Sequence, residues 1–376
     1  MNLNGIKLFS FFSGAGFLDF GFEKTGFDIV YVNEYYKPFL EAYKYSRTKM
    51  GLHEPHYGYF NGDIADLLNE NGLSSMVSKA KKQSDITGFI GGPPCPDFSV
   101  GGKNRGKEGD NGKLSAVYTS LICKERPDFF LFENVKGLWK TKLHKEFFNE
   151  LKAKFHANGY ITTEKLINTL EFSVPQERER IILLGFHKDF LNSNKFKLKK
   201  TQKELDFFPW DKERVYSIDK ISSMPWPGTE PFKEDSIKTC PPWLPIELTV
   251  EYWFKKNDVY SHPNACDFFK PREGLKKMLV IEEGDDSKKS YKRLHRWRYS
   301  PTVAYGNNEV HLHPYKARRL SASESLSLQS LPKEFHLPPE MTLTDKFKTI
   351  GNGVPYLAAE ALAKTISYFL EVIICH

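Results

Sequence analysis

The stretch FFSGAGFLDFGFEKTGF, residues 11–27, decides how this chain is read. It ends the apolar run IKLFSFF, which starts at Ile6, and Ser13, Gly14, Ala15 and Gly16 then lead into a helix-spaced apolar segment. A strand that ends in a tight glycine turn and feeds a helix is where a backbone can approach a nucleotide-like ligand. A GxG pair alone is a weak signal, because a plain strand–helix turn also uses it. Glu34 strengthens it by closing the next apolar run, DIVYVNE, eighteen residues after Gly16, where an acid can bind ribose hydroxyls. Gly62-Asp63 follows after a further step. The third glycine of a dinucleotide fingerprint is missing and no GK[ST] occurs, which argues against NAD and against a phosphate loop.

Working outward, short β-rich runs alternate with longer amphipathic ones from Ile6 to about Phe186. IKLFSFF, DIVYVNE, ITGFIGG, DFFLFEN and RIILLGF read as strands; PFLEAYKYSR, IADLLNENGL and HKEFFNELKAKFH read as helices. Such alternation predicts βαβ units and a mostly parallel sheet, with ligands beyond the carboxyl ends of its strands. From about Leu191 to Tyr299 the text turns rich in Lys, Pro and Trp, as in FFPWDKERVYS, MPWPGTEPF and TCPPWLP. Trp210, Trp226, Trp243, Trp253 and Trp297 mark this as a second, irregular folded domain, since so many large apolar rings are unlike a disordered linker. After Pro355 the pattern YLAAEALAKTISYFLEVII closes the chain as a helix.

The totals agree. At 376 residues the chain has room for about two domains of ~150 residues each. A net charge of +7 leans towards an anionic partner such as nucleic acid, though a mildly basic enzyme would show the same balance. The five cysteines, Cys95, Cys123, Cys240, Cys266 and Cys375, form no CxxC pair, which argues against a disulfide framework and a zinc site and for a reducing compartment. No apolar stretch of about 18 residues appears, so a soluble, cytoplasmic protein is expected, with no membrane partner and no metal.

Three further stretches follow predicted strands. GGPPCPDFS, residues 91–99, places Cys95 on a proline-stiffened loop at the carboxyl edge of the sheet, where packing alone asks for no thiol. A free thiol of pKa ~8.5 is a strong nucleophile and is activated by nearby positive charge; Cys123, in VYTSLICKER, reads instead as core. In FFLFENVKGL, Glu133 and Asn134 follow a strongly apolar strand, where desolvation raises a carboxyl pKa and equips it to share a proton with a ring nitrogen. A helix-capping acid would occupy the same junction. In SVPQERERIILLGF, Arg178 and Arg180 lie two apart at a strand start; alone this is an ordinary charged strand start, beside Cys95 and Glu133 it completes a site.

In this order the motifs resemble the cytosine-carbon-5 DNA methyltransferase family, over nearly the whole chain. FFSGAG with Glu34 and Gly62-Asp63 is similar to its S-adenosylmethionine site, GGPPCPDFS to its nucleophile loop, ENV to its acid motif and PQERER to its arginine motif. RRLSASESLSLQSLPKEF and GNGVP are similar to its last two segments. The resemblance implies an α/β, Rossmann-like S-adenosylmethionine-dependent domain over residues 1–190, completed by 336–376, and a smaller target-recognition domain over 191–335. It implies that Phe12, Ser13, Gly14, Gly16, Glu34, Asp63, Ile64, Pro94 and Asn352 hold S-adenosylmethionine, released as S-adenosylhomocysteine. Cys95, Glu133, Arg178 and Arg180 would then serve the cytosine, with Pro94 touching its amino group and Ser99 on the DNA side.

The chemistry explains these residues without the family name. Carbon 5 of cytosine is a poor nucleophile, and addition of the Cys95 thiolate to carbon 6 makes it enamine-like. Protonated Glu133 donates towards nitrogen 3, Arg180 holds the carbonyl at position 2, and Arg178 supports the loop or a phosphate. The base must be flipped out of double-stranded DNA, and SKKSYKRLHRWRYS offers Lys288, Lys289, Lys292, Arg293, Arg296 and Arg298 for phosphates and bases, as a solvated charged loop also would.

Four departures from the family pattern stand out. Pro96 and Asp97 follow the cysteine where Gln is usual, Phe17 replaces a third glycine, Lys113 stands for an arginine, and Ser323 and Ser327 replace two arginines. The reading is a monomeric DNA methyltransferase, of the kind paired with a restriction endonuclease or of the orphan kind. A tRNA cytosine methyltransferase and a catalytically silent DNA-binding homologue are the alternatives; the long basic insert favours DNA.

Overall fold

The computed structural model describes residues 5–69, 71–84, 86–94, 110–303 and 309–375. Its centre is a seven-stranded sheet in the order β3-β2-β1-β4-β5-β7-β6. The strands are β1 (Lys7–Phe11), β2 (Asp28–Asn33), β3 (Tyr59–Phe60), β4 (Thr87–Gly91), β5 (Phe129–Val135), β6 (Tyr160–Asn168) and β7 (Glu179–His187). All neighbours pair parallel except β7, which is antiparallel to β5 and to β6.

That single reversal positions the site. Phe11 pairs with Asn33 and with Gly91, and Gly91 with Phe132, so the carboxyl ends of β1, β2, β4 and β5 share one edge. Because β7 runs backwards, it brings its first residues to this edge: Arg180 pairs with Val135. The arginine motif can therefore precede its strand while the other motifs follow theirs.

Both faces of the sheet are buried, which explains why its strands read as continuous apolar runs rather than alternating ones. Leu8, Ile29, Ile90, Phe129, Leu131 and Ile182 pack into one core, and Phe9, Val30, Phe89, Phe130, Phe132 and Ile181 into the other. Helix α1 (Phe17–Glu23) lies against the C-terminal helix Tyr356–Cys375; a Cβ added at Gly21 would come within 2.5 Å of the Ala359 methyl group. Helix α2 (Lys37–Lys49) follows β2, with Pro38 in its first turn.

Beyond Leu191 the chain stays on the sheet for some twenty residues more. Thr162 of β6 donates to Lys203 O at 3.0 Å and accepts from Leu205 N at 2.9 Å, Trp210 Nε1 donates to Thr163 Oγ1, and Phe208 packs between Phe186 and Phe369. The irregular region that follows holds only short helices, such as Val250–Lys256 and Ala322–Leu328. Trp253 and Trp297 are buried in it, whereas Trp243 is exposed. Cys123 is half-buried against the second core, and burial pushes its thiol up to about 11. Among the described residues no helix is long and apolar enough to cross a membrane.

Candidate active site

The glycine turn after β1 is held from β2. Ser13 N donates to Asn33 O at 3.3 Å, and the Glu34 carboxylate accepts from Gly14 N at 2.9 Å and from Tyr36 N at 2.8 Å. Gly14 and Gly16 take left-handed φ values of +57° and +89°, which glycine adopts without strain. Phe12 takes +54° as well, a conformation that costs a residue with a Cβ about 1–2 kcal/mol and that clusters at functional sites. Burial raises the Glu34 carboxyl above its ordinary value, against the lowering effect of those two amides. Asn33, which the sequence reading passed over, ties the third part in: its Nδ2 donates to Phe60 O at 3.2 Å and to Gly62 O at 3.0 Å. Its sequence signal was a lone amide inside an apolar run. Asp63 caps the next turn through Ala65 N, and Ile64 is buried in the core beneath.

The residues fit a polar cofactor. The Ser13 hydroxyl is buried without a hydrogen-bond partner at the centre of this cradle, the kind of orphaned polar group that a ligand satisfies.

Further round the same edge lies the second cluster, where β4 and β5 end. Arg180 Nε stands 2.9 Å from Glu133 Oε1. Gly92 passes so close that a Cβ there would lie 2.5 Å from Glu133 Oε2, so the chain leaves β4 directly across the carboxylate. Asn134 Nδ2 reaches Pro93 O at 3.3 Å and holds that departure, and Pro94 is exposed. Cys95, Pro96, Asp97 and Ser99 lie outside the described residues. Arg178 is buried and donates to Gly351 O at 3.0 Å and Asn352 O at 3.4 Å, so it supports the GNGVP turn; the Asn352 side chain is exposed.

The departures acquire physical reasons. A Cβ at Gly353 would lie 2.1 Å from Phe17 Cδ2: the Phe17 ring fills the space that a glycine would leave, and it stacks edge-on against Phe335. Ser323 and Ser327 are buried, and their hydroxyls donate to Val259 O and Glu324 O at 2.8 Å each.

Two expected DNA contacts need correction. Arg293 is fully buried: its Nε donates to Ile281 O, one terminal nitrogen to His313 O and Lys316 O, and the other to Met278 O. Arg296 is buried too and pairs with Glu283 at 2.8 Å and 3.0 Å while also gripping Ser236. Four of the five donors of each guanidinium point inward, so neither presents its charge to a phosphate. Lys292 and Arg298 are half-buried, and Lys288 and Lys289 are exposed.

A Rossmann-like sheet with a polar cradle and an acid–arginine pair on one edge is the setting of an enzyme that uses a nucleotide-like cofactor. The family model described as C-5 cytosine-specific DNA methylase matches residues 6–368, and the chain belongs to that family. It is 56% identical to the Type II methyltransferase M.NmeDI of Neisseria meningitidis serogroup C, over 97% of this chain and 84% of that one. It is 31% identical to the Type II methyltransferase M.FnuDI of Fusobacterium nucleatum, over 96% and 94% of the two chains. A solved structure of a putative DNA modification methyltransferase from an E. coli prophage shares the fold, with a TM-score of 0.59 at 20% identity over 97% of this chain and 99% of that one. The protein is thus a DNA (cytosine-5-)-methyltransferase, and membership of a methyltransferase family implies use of S-adenosylmethionine.

Proposed function

We propose that the protein methylates carbon 5 of one cytosine in a short, specific sequence of double-stranded DNA, through a covalent adduct with Cys95. The observation that carries this reading is the Glu133–Arg180 pair directly beneath the point where Gly92 leads into the GGPPC loop. Arg180 orients the carboxyl group, which donates its proton to cytosine nitrogen 3 as the Cys95 thiolate adds to carbon 6. Arg180 would also hold the carbonyl at position 2, as a guanidinium suits a base oxygen. Once carbon 5 carries the methyl group, loss of its proton to water and return of the nitrogen 3 proton to Glu133 let the Cys95–carbon 6 bond break and regenerate the thiolate.

S-adenosylmethionine supplies the electrophilic methyl group when bound and leaves as S-adenosylhomocysteine. Phe12, Ser13, Gly14, Gly16, Glu34 and Asp63 would hold it; Ser13 Oγ and the free lone pairs of Glu34 are the polar atoms best placed to do so. Pro94 and Asn352 would close the cradle from the catalytic side, their positions set by Asn134 and Arg178.

Recognition falls to the irregular region. Its packing supports limits of about Asp211 to Arg319, because residues up to Trp210 lie on the sheet and Gln329 and Gln176 bond across its floor. Lys288, Lys289, Lys292 and Arg298 would meet phosphates. The Type II names of the relatives suggest a cytoplasmic partner nuclease of the same specificity.

The test is incubation with S-adenosylmethionine and unmethylated genomic DNA, followed by single-base mapping of 5-methylcytosine, with Cys95→Ser in parallel. Methylation at one recurring short sequence, lost in the variant while cofactor and DNA binding persist, is the expected result. A variant with wild-type turnover would remove Cys95 from the mechanism.

A further inference from the structure

Ile237 is 97% exposed, more than any other large apolar side chain among the described residues, yet the residues on either side of it are anchored. Ser236, just before it, accepts two hydrogen bonds from Arg296 through its carbonyl and hydroxyl oxygens. Lys238, just after it, donates to Glu283 Oε2 at 3.0 Å and to Glu230 Oε2 at 2.6 Å. Arg296 and Glu283 are themselves a buried pair, so the two neighbours of Ile237 grip the same fixed point.

Further anchors hold the approach to the tip. Glu230 exchanges backbone hydrogen bonds with Glu283, at 3.0 Å and 2.8 Å. Asp235 takes a left-handed φ of +49°, donates its N–H to Tyr315 O at 2.8 Å and pairs with Lys316 at 3.1 Å; Glu234 accepts from Ala317 N at 3.2 Å. The two acids next to the tip are thereby engaged by the protein.

We infer that Ile237 is a specificity-determining residue: the apolar tip of a preset loop, residues 230–238, that contacts base edges in duplex DNA. This rests on the proposed role of the irregular region in recognition. Three considerations lead to it. A loop whose flanking residues are fixed in advance pays little backbone ordering entropy when it binds. Its loop pairs with the segment 283–296, whose turn presents the exposed Lys288 and Lys289, the latter 3.8 Å from Glu309, next to Asp285 and Asp286; the lysine side of this turn is what an anionic partner would meet. A sec-butyl side chain gains nothing from a phosphate and can gain only from base edges and methyl groups, the contacts that specify sequence rather than position. A single apolar residue flanked by Lys233, Glu234 and Asp235 is far too small a patch for a protein interface.

The experiment uses the full-length protein and duplex oligonucleotides bearing its mapped site or single-base variants of it. For Ile237→Ala, kcat/KM at the mapped site relative to one or two of the variants should fall by about fivefold or more, the lower end of what one base contact discriminates. The slope of log binding against log salt should stay the same, and so should the melting temperature, since the side chain packs on nothing. An unchanged ratio at every base position would overturn the assignment. Lys288→Ala with Lys289→Ala separates this from the underlying reading: the pair should lower the salt slope by about 1.8 with ratios unchanged. A slope that did not move would remove the region from the DNA interface altogether, whatever Ile237 does.

Discussion

The two halves of the molecule solve one problem in opposite ways. Every buried peptide group needs a partner. In the sheet, ladder hydrogen bonds supply it, so β4 and β5 can be almost wholly apolar, and the polar side chains of the site, Asn33, Glu34, Glu133 and Asn134, come where β2 and β5 end. Among its described residues the irregular region has only isolated bridges in place of a ladder, and arginine makes up the difference. Arg293 gathers the carbonyls of Ile281, His313, Lys316 and Met278, and Arg319 donates to Val310 O. What looks in sequence like a nucleic-acid patch is in part an internal scaffold. A catalytic half built on ladders can expose its functional groups at little structural cost, whereas a recognition half built on side chains cannot change them freely.

The largest expected effect tests the first half of that contrast. Glu133→Gln removes a donated proton without disturbing a ladder, so kcat should fall by about 10²–10⁴-fold while S-adenosylmethionine affinity and melting temperature hold. Single-turnover methylation and titration calorimetry would check it; a parallel loss of fold would mean that the strand-end groups are structural after all.

Next comes Arg293→Met, which leaves four buried carbonyls without their donor. At about 1–3 kcal/mol for each unsatisfied group, the region should lose more than about 3 kcal/mol. Limited proteolysis should then cut between residues 211 and 320 while cofactor binding persists. A protease-resistant variant would show that the arginine is a passenger.

Much of this was legible in advance, and the part that was not has a common cause. The strands β1, β2, β4, β5 and β7, the glycine turn and the Glu133–Arg180 neighbourhood follow from local patterns, because apolar runs and turn residues act over a few positions. β6 was missed since its middle residues, Thr163 to Lys165, are half-exposed and polar. Arg293 and Arg296 were misplaced because buried arginines are rare and their partners are scattered between positions 236 and 316. The match of Phe17 to Gly353 is likewise a contact over more than three hundred residues, invisible until both are placed.

That match gives a smaller prediction. Gly353→Ala sets a methyl group against the Phe17 ring and should cost about 2 kcal/mol, within the range for overpacking. Phe17→Leu in the same chain should recover part of it, a coupling that double-mutant denaturation reads directly. Additive losses would mean that the two residues do not share the space.

The buried acids of the two halves are held in different charge states. Glu283, in the recognition half, would be raised by burial, but hydrogen bonds from Arg296 and Lys238 carry it below its ordinary value. Its stabilisation is present above the unfolded value of 4.5 and is lost only as pH falls through the lower folded one. Asp19, behind the cofactor turn, has hydroxyl partners instead: Ser10 at 2.8 Å and Tyr43 at 3.0 Å. Burial dominates and pushes it up to about 7 from 3.8. Between those values the folded state binds a proton that the unfolded chain has released, so stability falls as pH rises and levels off above about 7. Asp19→Asn keeps a polar group between Ser10 and Tyr43 but cannot titrate. Denaturation at pH 6 and pH 8 should therefore show the wild type losing about 1 kcal/mol more than the variant over that interval. Equal losses would mean that Asp19 is ionised in the folded protein, and that the catalytic half, like the recognition half, keeps its buried acid charged.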